Sequence, residues 1–123
     1  MKTLIKINQM LLRLFVLVLL VLGVMLWMGR TTLMPAHIGL GFLFALLVLI
    51  QGVLGGVARA GWGLAALAIV WAICLPAIGF GQLSWMPGNA HWIVRVVHLV
   101  FGLGVMPVVE RIGKRALTQT PAA

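Results

Sequence analysis

Four stretches of this chain are apolar for longer than a water-facing structure can accommodate. They cover about residues 10–28, 33–57, 62–80 and 90–109. Each is close to the roughly 20 residues a helix needs to cross a hydrocarbon layer. Only helices and closed barrels satisfy their backbone groups inside lipid, and runs this continuous lack the alternation of barrel strands. The connections GRTT, ARAG and GQLSWMPGN are short, which makes successive helices antiparallel neighbours. The expected fold is therefore all-α, a single integral membrane domain folded as an up-down-up-down four-helix bundle.

Composition agrees with that reading. Hydrophobic residues make up 63% of the 123 positions and charged residues 8%, too few polar groups to cover a soluble domain of this size. The net charge of +8 does not mark a nucleic-acid binder, because the cations sit at the ends of apolar runs and not on one soluble face. The start, MKTLIK, resembles a signal-peptide n-region. The run behind it is of full span length and ends in LWMGR without a small-residue cleavage site, so we read it as a retained helix.

Orientation follows from the same cations. Lys2, Lys6, Arg13, Arg59, Arg111, Lys114 and Arg115 fall on one side of a four-span chain and only Arg30 on the other. By the positive-inside bias both termini are cytoplasmic, in what we take to be a bacterial inner membrane. Trp27, Trp85 and Trp92 then mark the outer interface and Trp62 the inner one. Pro35 suits a first helical turn, Asn89 an N-cap, and Pro76 and Pro107 are interruptions that membrane helices tolerate. The segment after Lys114 is expected to fray. Cys74 cannot form an intramolecular disulfide and reads as a small buried hydrophobe. Gly52, Gly56, Gly61, Ala65, Ala68 and Ala72 are expected at close helix contacts, Trp71 in the core, and Gln51 bridging helices.

Ionisable groups inside a span are costly and need a reason. His37 lies early in the second run; His91, Arg95 and His98 lie in the fourth. In the fourth, the offsets of four and three residues put all three on one helical stripe. HIGLG and HLVFG repeat a pattern, with His37 followed by Gly41 and His98 by Gly102. A glycine one turn beyond a histidine removes the side chain that would block a flat ring against the helix. The ligand that fits is haem b, with its iron held by His37 and His98 from opposite sides. Arg95 would fork onto a propionate, with Arg30, Thr31 and Thr32 near the same end. His91 is either a further propionate partner or an interfacial residue.

Depth is the difficulty for that pair. His98 lies roughly 12 Å below residue 90, whereas His37 lies only about 3 Å below residue 35. Counting the second helix from residue 33 leaves about 6 Å for tilt to absorb. His37 with His91 matches better in depth, but places iron near water and leaves His98 without a role. We prefer His37 with His98.

Histidines about sixty residues apart, on the second and fourth helices, resemble a membrane b-type cytochrome. In particular the chain resembles one half of the haem A synthase family, four-helix bundles with one haem-ligating histidine on each of two alternating helices. LIQGVLGG, residues 49–56, resembles the Q-x-x-L-G run of that family. The resemblance implies haem binding. It does not extend to haem A synthesis: Ile38 and Leu99 stand where that family has arginine after histidine. The sole acid, Glu110, lies at the inner end and does not match the family's catalytic acid.

The function expected is electron transfer, with quinone or as a haem-bearing subunit of a respiratory complex. The expected partners are the bilayer, haem, and quinone or other membrane subunits; homodimerisation is left open. The alternative from another class is a cofactor-free scaffold or assembly subunit. Chlorophyll-type pigment binding would also use histidine and glycine. A transporter is disfavoured, since the spans offer no carboxylate in mid-membrane to couple ions.

Overall fold

The computed structural model describes residues 1–119 and contains four long α-helices and no strand among them: α1 (Lys2–Trp27), α2 (Met34–Val57), α3 (Trp62–Gly81) and α4 (His91–Thr118). A 3₁₀ turn, Thr31–Leu33, leads into α2. All four helices are long and apolar enough to cross a membrane. α1 touches α2 and α4 but not α3, whereas α2 and α4 meet across the middle of the bundle.

The exterior is what lipid requires. Large apolar side chains point outward along the helices, Leu17 at 61% and Ile73 at 67% exposure, while Gln51 is fully buried. In water that arrangement would be inverted.

Two helices outrun their apolar stretches. α1 begins at Lys2 and not near residue 10; α4 continues to Thr118 and not only to 109. Each extension is helical because it has a partner. Ile5 and Leu12 of α1 and Ile112 and Ala116 of α4 are buried in one core. Asn8, which would be costly against lipid, donates to the Leu47 carbonyl at 3.0 Å and to Gln51 Oε1 at 2.8 Å. The expected fraying after Lys114 is thus corrected for Arg115–Thr118, which the helix includes; residues 120–123 lie outside the described residues.

The two short turns stop their helices in the same way. After α1, Gly29 takes φ +93°, its N–H bonding Leu26 O while that of Arg30 bonds Met25 O. After α2, Arg59 takes the left-handed position at φ +59°, with the matching bonds Arg59 to Gly56 and Ala60 to Gly55. These paired bonds satisfy carbonyls that a helix end would otherwise leave unmet. Pro35 sits in the first turn of α2 as expected. Asn89 does not cap α4: the cap position is Ala90, without a side-chain bond. One residue too early, Asn89 is out of step with the N–H groups a cap serves.

Small residues set the tightest helix contact. A methyl at Gly52 would stand 3.1 Å from the Ala65 carbonyl and 3.3 Å from Ala68; Ala65, Ala68 and Ala72 are buried, as the sequence suggested. Gly61 serves instead in the α2–α3 turn, at φ +119°. Trp71 stacks on Phe101 with centroids 4.7 Å apart and donates its indole N–H to the Phe101 carbonyl at 3.0 Å.

Candidate functional site

The close-packed core occupies one end of the bundle; the other end is hollow. A cavity of about 330 Å³ there is lined by all four helices, including Gly23 and Trp27 of α1, His37 and Gly41 of α2, Gly79 of α3, and Arg95, His98 and Gly102 of α4. Thr31, Gln82 and His91 add polar groups to walls that are otherwise apolar. At this size it falls at the lower end of ordinary ligand pockets.

The structure brings His37 and His98 together. Their ring centroids are 6.1 Å apart and the ring planes are inclined by 59°. The expected depth mismatch is absent because each histidine is equally far from its helix entry. Three 3₁₀ residues and one α-helical turn put His37 about 10 Å below Thr31, and two turns put His98 about 10 Å below His91.

Neither ring is spent on a protein hydrogen bond at Nδ1. Both Nδ1 atoms are buried without a partner. Buried imidazoles are ordinarily satisfied, since an unmet polar atom costs about 1–3 kcal/mol. Two such atoms in one ring pair are a specific anomaly.

Glycines surround the pair in two roles. A methyl added to Gly23 would sit 3.6 Å from His37 Cε1, and one added to Gly79 would sit 3.5 Å from His98 Cε1. At those distances a methyl would make ordinary van der Waals contact with the imidazole edges. Gly41 and Gly102, one turn past each histidine, have nothing within 4 Å of an added methyl. They face open space at the cavity.

The remaining candidates divide. Arg95 is exposed at the cavity wall with its guanidinium carbon 5.8 Å from the Trp27 ring. His91 lines the cavity too, but its Nδ1 is held 3.2 Å from the Trp85 carbonyl, and the ring packed against His37 is that of His98. Thr31 lines the cavity; Arg30 and Thr32 do not. Cys74 is half-buried and free.

Arg95 has no side-chain carboxylate to pair with. The chain contains one acid, and Arg13 takes it in a fork: Nε to Glu110 Oε1 at 2.7 Å and Nη2 to Oε2 at 2.8 Å. Sequence reasoning missed this pair and the Asn8–Gln51 bond. The available signal was the single acid itself, which had to meet one of nine cations. Gln51 does bridge helices, accepting from Asn8 and donating to the Val109 carbonyl at 3.5 Å.

Among the described residues no three His, Cys, Asp or Glu side chains converge to hold a bare metal ion. Two converging imidazoles suit a metal that brings its other ligands with it. Metal–imidazole bonds of about 2 Å, and about 1.2 Å from nitrogen to ring centre, set centroids of a shared metal roughly 6.4 Å apart. The observed 6.1 Å is close to that spacing. No family model matches this chain, and no curated protein or solved structure matches it.

Proposed function

We propose that this protein is a four-span b-type cytochrome in which His37 and His98 are the axial ligands of one haem. One observation carries the reading: imidazoles from the second and fourth helices converge, 6.1 Å between ring centroids, in a cavity where Gly41 and Gly102 face open space. The Nδ1 atoms are buried and closed to a ligand, so ligation falls to Nε2 of each ring.

In this reading the chain's residues divide the work. His37 and His98 would hold the group, one from each of two helices, and Gly41 and Gly102 would leave room for it beside the helix backbones. Arg95, without a protein carboxylate, forks onto a propionate, and the Trp27 ring limits its swing. His91, tethered to the Trp85 carbonyl, is a second donor at the same wall. Bound there, haem supplies a one-electron ferric–ferrous couple, and two protein ligands leave no position for oxygen. Electron transfer, with quinone or a partner subunit as the other member, is the activity that suits such a site. The up-down-up-down course, a bacterial inner-membrane location and cytoplasmic termini belong to the same proposal and rest on loop length and charge bias.

An absorption spectrum of detergent-purified protein tests it. We expect a Soret band that shifts on reduction with dithionite and a sharp α band. A featureless reduced spectrum from folded protein returns the chain to the scaffold reading, and far-red absorption assigns the cavity to a chlorophyll-type pigment.

A further inference from the structure

The opposite end of the bundle carries a second chemistry. Lys2, Lys6, Gln9 and Arg13 of α1 are spaced by four, three and four residues and so share one helical face. That face meets the end of α4. Gln9 fills the space that a side chain at Gly113 would occupy and reaches Glu110 Oε2 at 3.4 Å. Glu110 and Lys114 are one turn apart on α4. The seam between α1 and α4 thus carries Lys2, Lys6, Arg13 and Lys114 against one carboxylate.

That carboxylate is already saturated. Arg13 occupies both its oxygens and Gln9 approaches one of them. The lysines of the seam have no acid left in the chain. Arg115, by contrast, is turned away toward the α2–α3 turn, donating to the Ala60 carbonyl at 3.4 Å. Lys6 and Lys114 are exposed, within three turns of the helix ends, and lie at headgroup depth if the apolar runs span the bilayer. On the same flank of α1 exposed apolar side chains continue from Lys6 into the span, Met10 at 67% and Leu17 at 61% exposure.

We propose that this seam binds the phosphate of an anionic phospholipid, with Lys6 and Lys114 as the principal contacts and the acyl chains lying along Met10 and Leu17. An aqueous anion would gain the charge pairing without the apolar contact. Cationic clefts between helices at a membrane face suit such headgroups, each nearby cation contributing about five-fold in affinity. The proposal is independent of what fills the cavity at the other end.

Native mass spectrometry of the full-length protein, released from micelles doped with phosphatidylglycerol or phosphatidylcholine, tests it. We expect phosphatidylglycerol to be retained selectively, and a Lys6→Gln/Lys114→Gln variant to lose roughly 25-fold in retention affinity. A Lys6→Arg/Lys114→Arg variant should keep it. Both positions are exposed, and helical circular dichroism checks that each variant folds. Equal retention of the two lipids, or a glutamine variant that binds as well as the parent, would overturn the proposal. Displacement of the lipid by millimolar inorganic phosphate would assign the seam to a soluble anion and overturn it as well.

Discussion

Where α1 begins, the glycines are packed to contact: Ile112 fills the space beside Gly55, Gln9 that beside Gly113, and Trp62 that beside Gly56. At the other end Gly41 and Gly102 face nothing within 4 Å. The same residue does opposite jobs. In the packed end it lets helices approach closely, which is how membrane helices gain dispersion energy without a hydrophobic driving force. Beside Gly41 and Gly102 no neighbour uses the missing side chain, although Trp85 packs against Gly81 at the same end. Side chains such as Ile112 and Gln9 fill the packed end, whereas the space beside the two histidines is bordered by glycine.

Removing a ligand should have the largest effect. His37→Ala or His98→Ala is expected to abolish haem retention in the purified protein, measured as the pyridine haemochrome per chain, while helical content is unchanged. Full haem content in the His98 variant would transfer that ligand's role to His91. Next comes an exchange of bulk between the two ends. Gly41→Leu fills open space, so the apoprotein should keep its thermal midpoint and lose most of its haem. Gly55→Leu drives a side chain into Ile112 and should cost at least about 1–3 kcal/mol of stability, with any folded fraction still binding haem. Equal destabilisation by both would erase the contrast between the ends.

The hollow end was more legible in the sequence than the packed one. His37, His98, Gly41 and Gly102 announce themselves because polar and side-chain-free positions are conspicuous in a greasy span, and their four-residue spacing survives any register of the helix. Their convergence was legible as the preferred pairing, with the depth of His37 counting against it. It depends on a 3₁₀ turn over Thr31–Leu33 that evens the two depths, and on which helices sit diagonally. The α1 extension was missed for a related reason. Hydropathy alone treats Asn8 and Gln9 as the edge of a span, whereas the structure gives both partners on other helices. A polar residue's cost is set by what it meets, and that partner is distant in sequence.

A polar substitution at the packed end isolates that point. Gln51→Leu keeps volume but removes the acceptor for Asn8 and the donor to Val109 O. Interhelical bonds in membranes are worth about 0.6 kcal/mol on average and up to about 1.7. We expect about 1–2 kcal/mol of destabilisation, read from unfolding in mixed micelles, with the haem spectrum unaltered. A changed spectrum would mean that the two ends are mechanically coupled and not independent.

The smallest effect should come from the arginine at the cavity wall. Arg95→Lys keeps the positive charge but loses the planar fork that pairs with both oxygens of a carboxylate. A propionate held by one donor instead of two is less well neutralised, and its residual charge favours ferric over ferrous iron. Haem should be retained, and its midpoint potential should fall by roughly 20–60 mV, where about 59 mV corresponds to a tenfold change for one electron. Arg95→Gln, which removes the charge as well, should fall further. An equilibrium redox titration of the three proteins orders them. If both variants match the parent, Arg95 does not touch the propionates, and its place beside Trp27 is that of a side chain reaching for the membrane surface.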